Sequence, residues 1–282
     1  MALKGMLRRI ASLGVSLAYV GWSNIKLRNS DQCVALYFHG VTVSQAPLFR
    51  RQMQWLKSAY QIVPLRALLN SAESSSRVCV TFDDSLDNVR ENALPILQEL
   101  GISATVFAVP GNLGQKPSWA IADDHPDRHE RISTGEQLQK YPPALIEIGS
   151  HTMTHPDLTK LKGDSLANEL AQSKKALEEL MGYEVVSLSV PFGSYNQETL
   201  RAADEIGYKV VVTCDPVPFR PGDSPLCVGR FKVTPNDWSL EFRLKARGAH
   251  AWRRAWQALK SGASQHQFRR DQHLADNASV VG

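Results

Sequence analysis

The sequence predicts an α/β fold in which about seven parallel strands close into a distorted barrel that is covered by helices. Short, β-branched apolar runs alternate with amphipathic helix patterns from about residue 33 to residue 235. Alternation of this kind is typical of parallel strands joined by helical connections. No Pro-, Gly- or Ser-rich linker divides this region, so we expect a single domain rather than two.

The predicted elements follow from these patterns in chain order. Strands are expected at residues 34–38, 77–82, 104–109, 145–149, 185–190, 209–214 and 230–233. Amphipathic helices are expected at residues 87–100, 165–181 and 197–206. A glycine follows each of these helices, and glycine adopts the left-handed conformation of a helix C-terminus without steric cost.

The net charge of +4 is distributed unevenly along the 282 residues. Residues 1–30 carry five basic and no acidic side chains, and residues 241–282 carry eight basic and three acidic ones. The middle of the chain is therefore acidic, with 19 basic against 25 acidic side chains. Basic ends on an acidic body predict peripheral contact with an anionic membrane. We expect no nucleic-acid partner, because no basic run is interleaved with aromatic residues across the body.

The N-terminal segment has apolar side chains at helical spacing. They recur every three or four residues at Leu3, Met6, Leu7, Ile10, Leu13, Leu17 and Val20. This predicts an amphipathic helix within residues 1–30 that lies on a membrane surface or on the body of the protein. The four cysteines form no C-x-x-C pair and favour a reducing compartment. We expect a protein that is cytoplasmic or lies at the cytoplasmic face of the inner membrane; export with an uncleaved N-terminal anchor is the alternative.

Two adjacent carboxylates, Asp83 and Asp84, end the strand predicted at residues 77–82. Like charges placed together at the mouth of a sheet are unfavourable unless a cation lies beside them. One interpretation is therefore a divalent metal site, with one carboxylate as a ligand and the other near water. The alternative is that one of the two simply caps the following helix.

Two histidines, His151 and His155, follow the strand predicted at residues 145–149. Gly149 and Pro156 bracket the pair, which indicates a turn leaving the strand rather than the middle of a helix. The histidines and the carboxylates then share one edge of a parallel sheet, where such folds place their sites. Two imidazole nitrogens and one carboxylate oxygen leave an open position, as in catalytic metal sites. Two ordinary surface histidines are the alternative.

A third turn, Pro191-Phe192-Gly193, follows the strand predicted at residues 185–190, and Tyr195 lies two residues further on. A sharp turn of this kind can direct a backbone N–H into a site, where it would stabilise an oxyanion. The alternative is an ordinary loop with Phe192 packed beneath it.

In order and content, these three segments resemble the polysaccharide deacetylase family, also called the NodB homology domain or carbohydrate esterase family 4. Residues 81–84 look like the first family motif, residues 150–156 like the second, and residues 191–193 like the core of the third. The resemblance covers about residues 33–235 and implies a NodB-like barrel. We therefore expect a catalytic domain at residues 31–240, a basic C-terminal helix at 241–262 and a disordered tail at 263–282.

The resemblance also implies roles for individual residues. Asp83 would be the general base, and Asp84, His151 and His155 would hold one divalent metal ion, for which we expect zinc. The backbone N–H of Phe192 would be the oxyanion donor. Pro191, Gly193 and Tyr195 complete the expected oxyanion and substrate region.

The sequence departs from the family pattern at two places. The third motif commonly has an arginine that orients the base, where this chain has Ser189; our candidate replacement is Arg230, which could also be an ordinary strand-end arginine. A late Leu-x-His that supplies the general acid is also missing. His39 ends the first predicted strand in a Tyr-x-His-Gly segment that resembles the exopolysaccharide branch of the family, and it is our candidate proton donor or substrate contact.

The resemblance implies a metal-dependent hydrolase that removes an N-acetyl group from an amino sugar. The expected partner is a polysaccharide or lipid-linked glycan, and the expected product is acetate. One alternative is a catalytically impaired glycan-binding protein on the same fold, because the usual arginine and late histidine are missing. Another is a metal amidohydrolase that acts on a small cyclic amide.

Overall fold

The computed structural model describes residues 2–22, 32–69, 76–119, 121, 126–254 and 256. The tail expected at residues 263–282 and the end of the N-terminal segment, residues 23–30, lie outside the described residues. The described part forms a nearly closed barrel of parallel strands with helices around it. The predicted fold class is therefore confirmed.

Eight strands, all paired in parallel, form the sheet within the described residues. They are β1 (Cys33–Phe38), β2 (Gln61–Ile62), β3 (Arg77–Phe82), β4 (Ala104–Ala108), β5 (Ile146–Ser150), β6 (Ser187–Ser189), β7 (Val210–Val212) and β8 (Arg230–Lys232). Their order is β7-β6-β5-β4-β3-β1-β8, and β2 pairs with β3 beside that path. A parallel bridge between Val212 and Val228 joins β7 to the segment that enters β8. This bridge brings the two ends of the sheet together.

Helices cover the outside of the sheet. They are α1 (Ala2–Trp22), α2 (Ala46–Ala59), α3 (Leu94–Leu100), α4 (Gly135–Gln139), α5 (Asp164–Met181), α6 (Gln197–Ile206) and α7 (Ser239–Ala246). The helix expected at residues 87–100 is divided into a π-helical turn, Val89–Ala93, and α3. Among the described residues, no helix combines the length and the hydropathy that a membrane span requires.

The basic helix expected at residues 241–262 is interrupted in the structure. Helix α7 ends at Ala246, and Gly248 follows with a φ of 72°. Because this left-handed conformation turns the chain out of the helix, a separate short helical turn, Ala249–Ala251, comes next. Residues 255 and 257–262 lie outside the described part.

The strands are buried on both faces, which explains why their sequences read as nearly continuous apolar runs. Along β1, Val34, Leu36 and Phe38 belong to the large apolar layer between the sheet and the helices. The alternate residues Cys33 and Ala35 belong to a smaller cluster inside the barrel. All four cysteines of the chain are free thiols.

The interior of the barrel allows a test of this packing at Gly149 in β5. A Cβ added there would lie 2.6 Å from Cε1 of Phe107 and 3.1 Å from the carbonyl oxygen of Ser187. Gly149→Ala should therefore lower the free energy of unfolding by about 1–3 kcal/mol, measured by urea denaturation. The control is Gly14→Ala in α1, where no atom lies within 4 Å of the added Cβ. Equal stability of the Gly149→Ala and parent proteins would contradict this packing.

Candidate metal and catalytic site

The candidate site lies where the strands end, at the carboxyl edge of the barrel. Asp83 and Asp84 follow β3, His151 follows β5, and the turn at Pro191–Gly193 comes just after β6. Because the strands are parallel, these segments meet although they are far apart in the chain.

Backbone strain is concentrated in the same three segments. Five non-glycine residues of the described part have a positive φ: Asp84, Ser85, Thr152, His155 and Phe192. Four of them lie in the three predicted motifs, and Ser85 directly follows the first. Such conformations cost free energy and persist where the surrounding structure imposes them, which is common at functional sites. The strain marks these turns as features that do more than connect strands to helices.

Asp84, His151 and His155 form a compact cluster of possible metal ligands. Asp84 Oδ1 lies 3.6 Å from Nε2 of each histidine, and the three ligand atoms lie within 4.8 Å of one another. Ligands in a tetrahedral zinc site, with bonds of about 2.0–2.2 Å, are about 3.4 Å apart. Asp84 Oδ1 is also buried without a hydrogen-bond partner. The donor set and its spacing fit a divalent cation.

The protonation states of the two histidines suit the binding of a metal ion. Nδ1 of His151 lies 2.8 Å from the carbonyl oxygen of Ser189. Because a carbonyl oxygen can only accept, Nδ1 donates its proton and leaves the lone pair of Nε2 directed at Asp84. Burial lowers the pKa of His151. Burial and the neighbouring His151 together lower the pKa of His155 to about 2, so both rings are neutral at pH 7.

The pKa of the Asp84 carboxyl group is shifted in the opposite direction to the pKa values of the two histidines. Burial raises its pKa well above the ordinary value, and the charges of Asp83 and Asp127 raise it further. The ionised form of Asp84 is therefore unfavourable in the protein alone. A divalent cation beside Oδ1 would stabilise that form.

Asp83 is paired with a buried arginine from β8, the last strand of the chain. Arg230, in β8, is fully buried, and its two terminal nitrogens lie 2.8 and 2.9 Å from the two carboxylate oxygens of Asp83. The same guanidinium donates to Ser189 Oγ at 2.8 Å, and Ser189 Oγ in turn donates to Asp83 at 3.2 Å. Arg230 therefore makes the contact with Asp83 that was expected of an arginine in place of Ser189.

This pair determines the charge of Asp83. Burial alone would raise the pKa of the carboxyl group, but the charge and hydrogen bonds of Arg230 outweigh burial and hold the pKa below its ordinary value. Asp83 is therefore ionised next to the neutral histidines. The two adjacent aspartates have pKa values shifted in opposite directions, which separates a group that can accept a proton from one whose ionised form a cation would stabilise.

The turn after β6 packs tightly against the end of β7. A Cβ on Gly193 would lie 2.6 Å from Cβ of Cys214, and the φ of Gly193 is 66°. Phe192 is 55% exposed, so it is not packed beneath the loop, which was the alternative interpretation. Its ring instead meets the ring of His155 edge-on, with centroids 4.7 Å apart.

A cavity of about 350 Å³ opens above these groups. Its lining consists of Tyr37, His39, Asp83, Asp84, Trp119, Ile121, Asp127, His151, His155, Val190, Phe192, Cys214 and Lys232. The ring of Trp119 stacks on His155 with centroids 4.1 Å apart. His155 is therefore held between Trp119 on one side and the edge contact with Phe192 on another.

His39 lies in this cavity, as expected from its position at the end of β1. Burial lowers the pKa of its imidazole, whereas the charges of Asp83 and Asp127 oppose that shift and Lys232 adds to it. The ring is therefore neutral at pH 7 but close to two carboxylates that favour its protonated form.

Tyr195 was expected in the substrate region, but the structure does not place it in the cavity lining that the described residues form. Its hydroxyl group donates to Asp215 at 2.8 Å and accepts from Cys227 at 3.5 Å. Its ring packs against the apolar layer outside the sheet. Tyr195 is thus turned away because a carboxylate behind the loop holds its hydroxyl group.

Several cavity residues were not predicted individually. Trp119 and Asp127 lie in the polar loop at residues 115–131, and its composition gives no sign of which side chains turn inward. Tyr37, Cys214 and Lys232 lie at or next to strand ends, so their position at the carboxyl edge was the available signal. Tyr37 also begins the Tyr-x-His-Gly segment that ends β1, whereas the other four residues belong to no recognisable motif.

The chain is similar to several known proteins. The sequence profile described as polysaccharide deacetylase matches residues 70–211, which is half of the chain. "Putative polysaccharide deacetylase YxkH" of Bacillus subtilis (strain 168) is 31% identical over 193 residues, covering 66% of this chain and 64% of that protein. The chain therefore spans less than two thirds of the length of this relative.

Two further proteins are similar over larger shares. The poly-beta-1,6-N-acetyl-D-glucosamine N-deacetylase of Staphylococcus aureus (strain MRSA252) is 24% identical over 206 residues, or 68% of each chain. The solved structure of IcaB from Ammonifex degensii has a TM-score of 0.65 at 24% identity, covering 79% of this chain and 99% of that chain. The profile match over half of the sequence shows that the chain belongs to the polysaccharide deacetylase family.

Proposed function

We propose that this protein is a metal-dependent hydrolase that removes N-acetyl groups from amino sugars in a polysaccharide or lipid-linked glycan. The observation that carries the proposal is the buried Asp84–His151–His155 cluster next to the ionised carboxylate of Asp83. The names of the Bacillus and Staphylococcus relatives support the substrate class.

Zinc is the proposed metal, since two imidazoles and one carboxylate are a common donor set for catalytic zinc. Asp84 Oδ1 and Nε2 of His151 and His155 would hold it. A metal bound there would supply Lewis acidity toward water and toward the carbonyl oxygen of the amide.

Hydrolysis requires one proton to be removed from water and one to be given to the departing nitrogen. Asp83 is the proposed acceptor of the first proton, because Arg230 keeps it ionised and holds both of its oxygens in place. His39 is the proposed donor of the second. Because its ring is neutral at pH 7, His39 must first take up a proton, and the proton that Asp83 removes from water is the one available. The nearby charges of Asp83 and Asp127 favour the protonated form of His39.

The remaining cavity residues suit a sugar ring. The backbone N–H of Phe192 is the proposed oxyanion donor, in a turn that Pro191 and Gly193 shape. The rings of Trp119 and Phe192 border the cavity beside His155. Flat aromatic surfaces next to a few polar groups are common in sites that bind organic ligands.

The function is tested with the metal-loaded chain and a panel of N-acetylglucosamine oligomers, N-formylated analogues and a small cyclic imide. We expect release of acetate and a free amine from the N-acetylated oligomers. Asp83→Asn should lower kcat/KM by about 10²- to 10⁴-fold, because the amide cannot accept the proton from water.

The matched control is Asp204→Asn on the exposed surface of α6, which should keep the parent rate. Full activity of Asp83→Asn, or an inactive parent that only binds the oligomers, would contradict the proposal. Turnover of the cyclic imide alone would replace the proposed substrate class.

The Asp83–Arg230 pair predicts a specific change in the pH profile. Because Arg230 lowers the pKa of Asp83, Arg230→Met should raise that pKa. The carboxylate would then be lost at higher pH, and the acidic limb of kcat/KM should move upward by about one to three pH units. Arg230→Lys keeps a positive charge and should show a smaller shift.

Arg50→Met is the matched control, because Arg50 pairs with Glu99 on the surface. It should leave the pH profile unchanged. An unchanged acidic limb in a folded Arg230→Met protein would mean that Arg230 does not control the ionisation of Asp83.

A further inference from the structure

Helix α1 is held against the body of the protein by polar contacts. The guanidinium of Arg9 pairs with Glu241 of α7 at 2.5 Å. It also lies over the ring of Trp238, with Cζ 4.4 Å from the ring centroid. This contact fixes the N-terminal half of α1 beside the start of α7.

Two serines continue the same contact along α1. Ser12 Oγ accepts a hydrogen bond from Arg253 at 3.0 Å, and Ser16 Oγ accepts one from the indole nitrogen of Trp252 at 2.9 Å. At 100° per residue, Arg9, Ser12 and Ser16 fall within about 60° of one another around the helix axis. One narrow, polar face of α1 therefore faces the body.

The apolar stripe of α1, defined here as Met6, Leu7, Ile10 and Leu17, lies on the other side. These four side chains are 47, 55, 49 and 49% exposed. They span a sector of about 100° whose centre is about 140° from the face that contacts the body. This is the reverse of the usual packing of an amphipathic helix, whose apolar face turns to the core.

The charge of the segment indicates what covers this stripe. Besides Arg9, which pairs with Glu241, helix α1 contains the basic residues Lys4 and Arg8, and it contains no acidic residue. An anionic lipid surface attracts basic residues near the membrane and accepts an apolar helix face into its headgroup region. A second copy of this chain would instead bring two basic helices together. Charge therefore favours lipid over self-association.

We propose that the apolar stripe of α1 binds an anionic membrane surface, with the helix lying in the headgroup region and its polar face attached to α7 and to residues 252–253. This binding is independent of the proposed hydrolytic activity. It assigns α1 to attachment and leaves the cavity at the carboxyl edge of the barrel to the glycan.

The test is co-sedimentation of the full chain with vesicles of phosphatidylcholine alone or mixed with phosphatidylglycerol. We expect binding to the mixed vesicles that weakens as salt is added. The double variant Leu7→Ser/Ile10→Ser should bind at least about tenfold more weakly, because it removes two large apolar side chains from the face that enters the headgroup region. Val43→Ser/Leu69→Ser is the control, since these side chains are 78 and 42% exposed elsewhere on the protein.

Equal binding of the stripe variant and the parent, with α1 still helical by circular dichroism, would overturn the proposal. Loss of a dimer in the stripe variant, without vesicle binding by the parent, would assign the stripe to a second copy and also overturn it. Deacetylation of soluble oligomers, measured in parallel, reports on the proposed function separately. Failure of that reaction in every variant leaves the vesicle result intact.

Discussion

The site depends on the burial of two adjacent carboxylates at the mouth of the barrel. Asp83 and Asp84 are both almost inaccessible to solvent, and burial alone would favour the neutral form of each. Within the described residues, only one of them has a paired counter-charge. Arg230 neutralises Asp83 through two parallel hydrogen bonds, whereas Asp84 faces two neutral imidazoles. A cation beside Asp84 would balance this asymmetry.

The barrel makes this arrangement possible. Arg230 comes from β8, the last strand, and Asp83 follows β3, yet β1 lies between these strands and pairs with both. Near closure of the sheet also brings β6 and Ser189 to the other side of the guanidinium. The buried arginine therefore connects Asp83, the proposed proton acceptor, to strands from distant parts of the chain. A change in barrel closure would alter the protonation of Asp83 as well as the packing.

The sequence was sufficient for the features that rest on local patterns. Apolar runs defined seven strands, and β2 was missed because two residues carry no periodicity. Arg230 could be proposed because Ser189 left the base without its usual partner. Trp119 and Asp127 could not be proposed as cavity residues from the sequence, because their inward orientation depends on how a polar loop folds. Tyr195 was misplaced because its partner, Asp215, is distant in sequence and has no motif of its own.

The proposed site binds one cation through Asp84, His151 and His155, and Asp83 remains outside its ligand set. Anomalous diffraction at the zinc edge from crystals of the metal-loaded protein measures this directly. We expect a single peak within bonding distance of Nε2 of both histidines and of an Asp84 oxygen, with Asp83 still paired to Arg230. A peak elsewhere in the described barrel, or one bonded to Asp83 after its separation from Arg230, would show that the proposed ligand set is wrong.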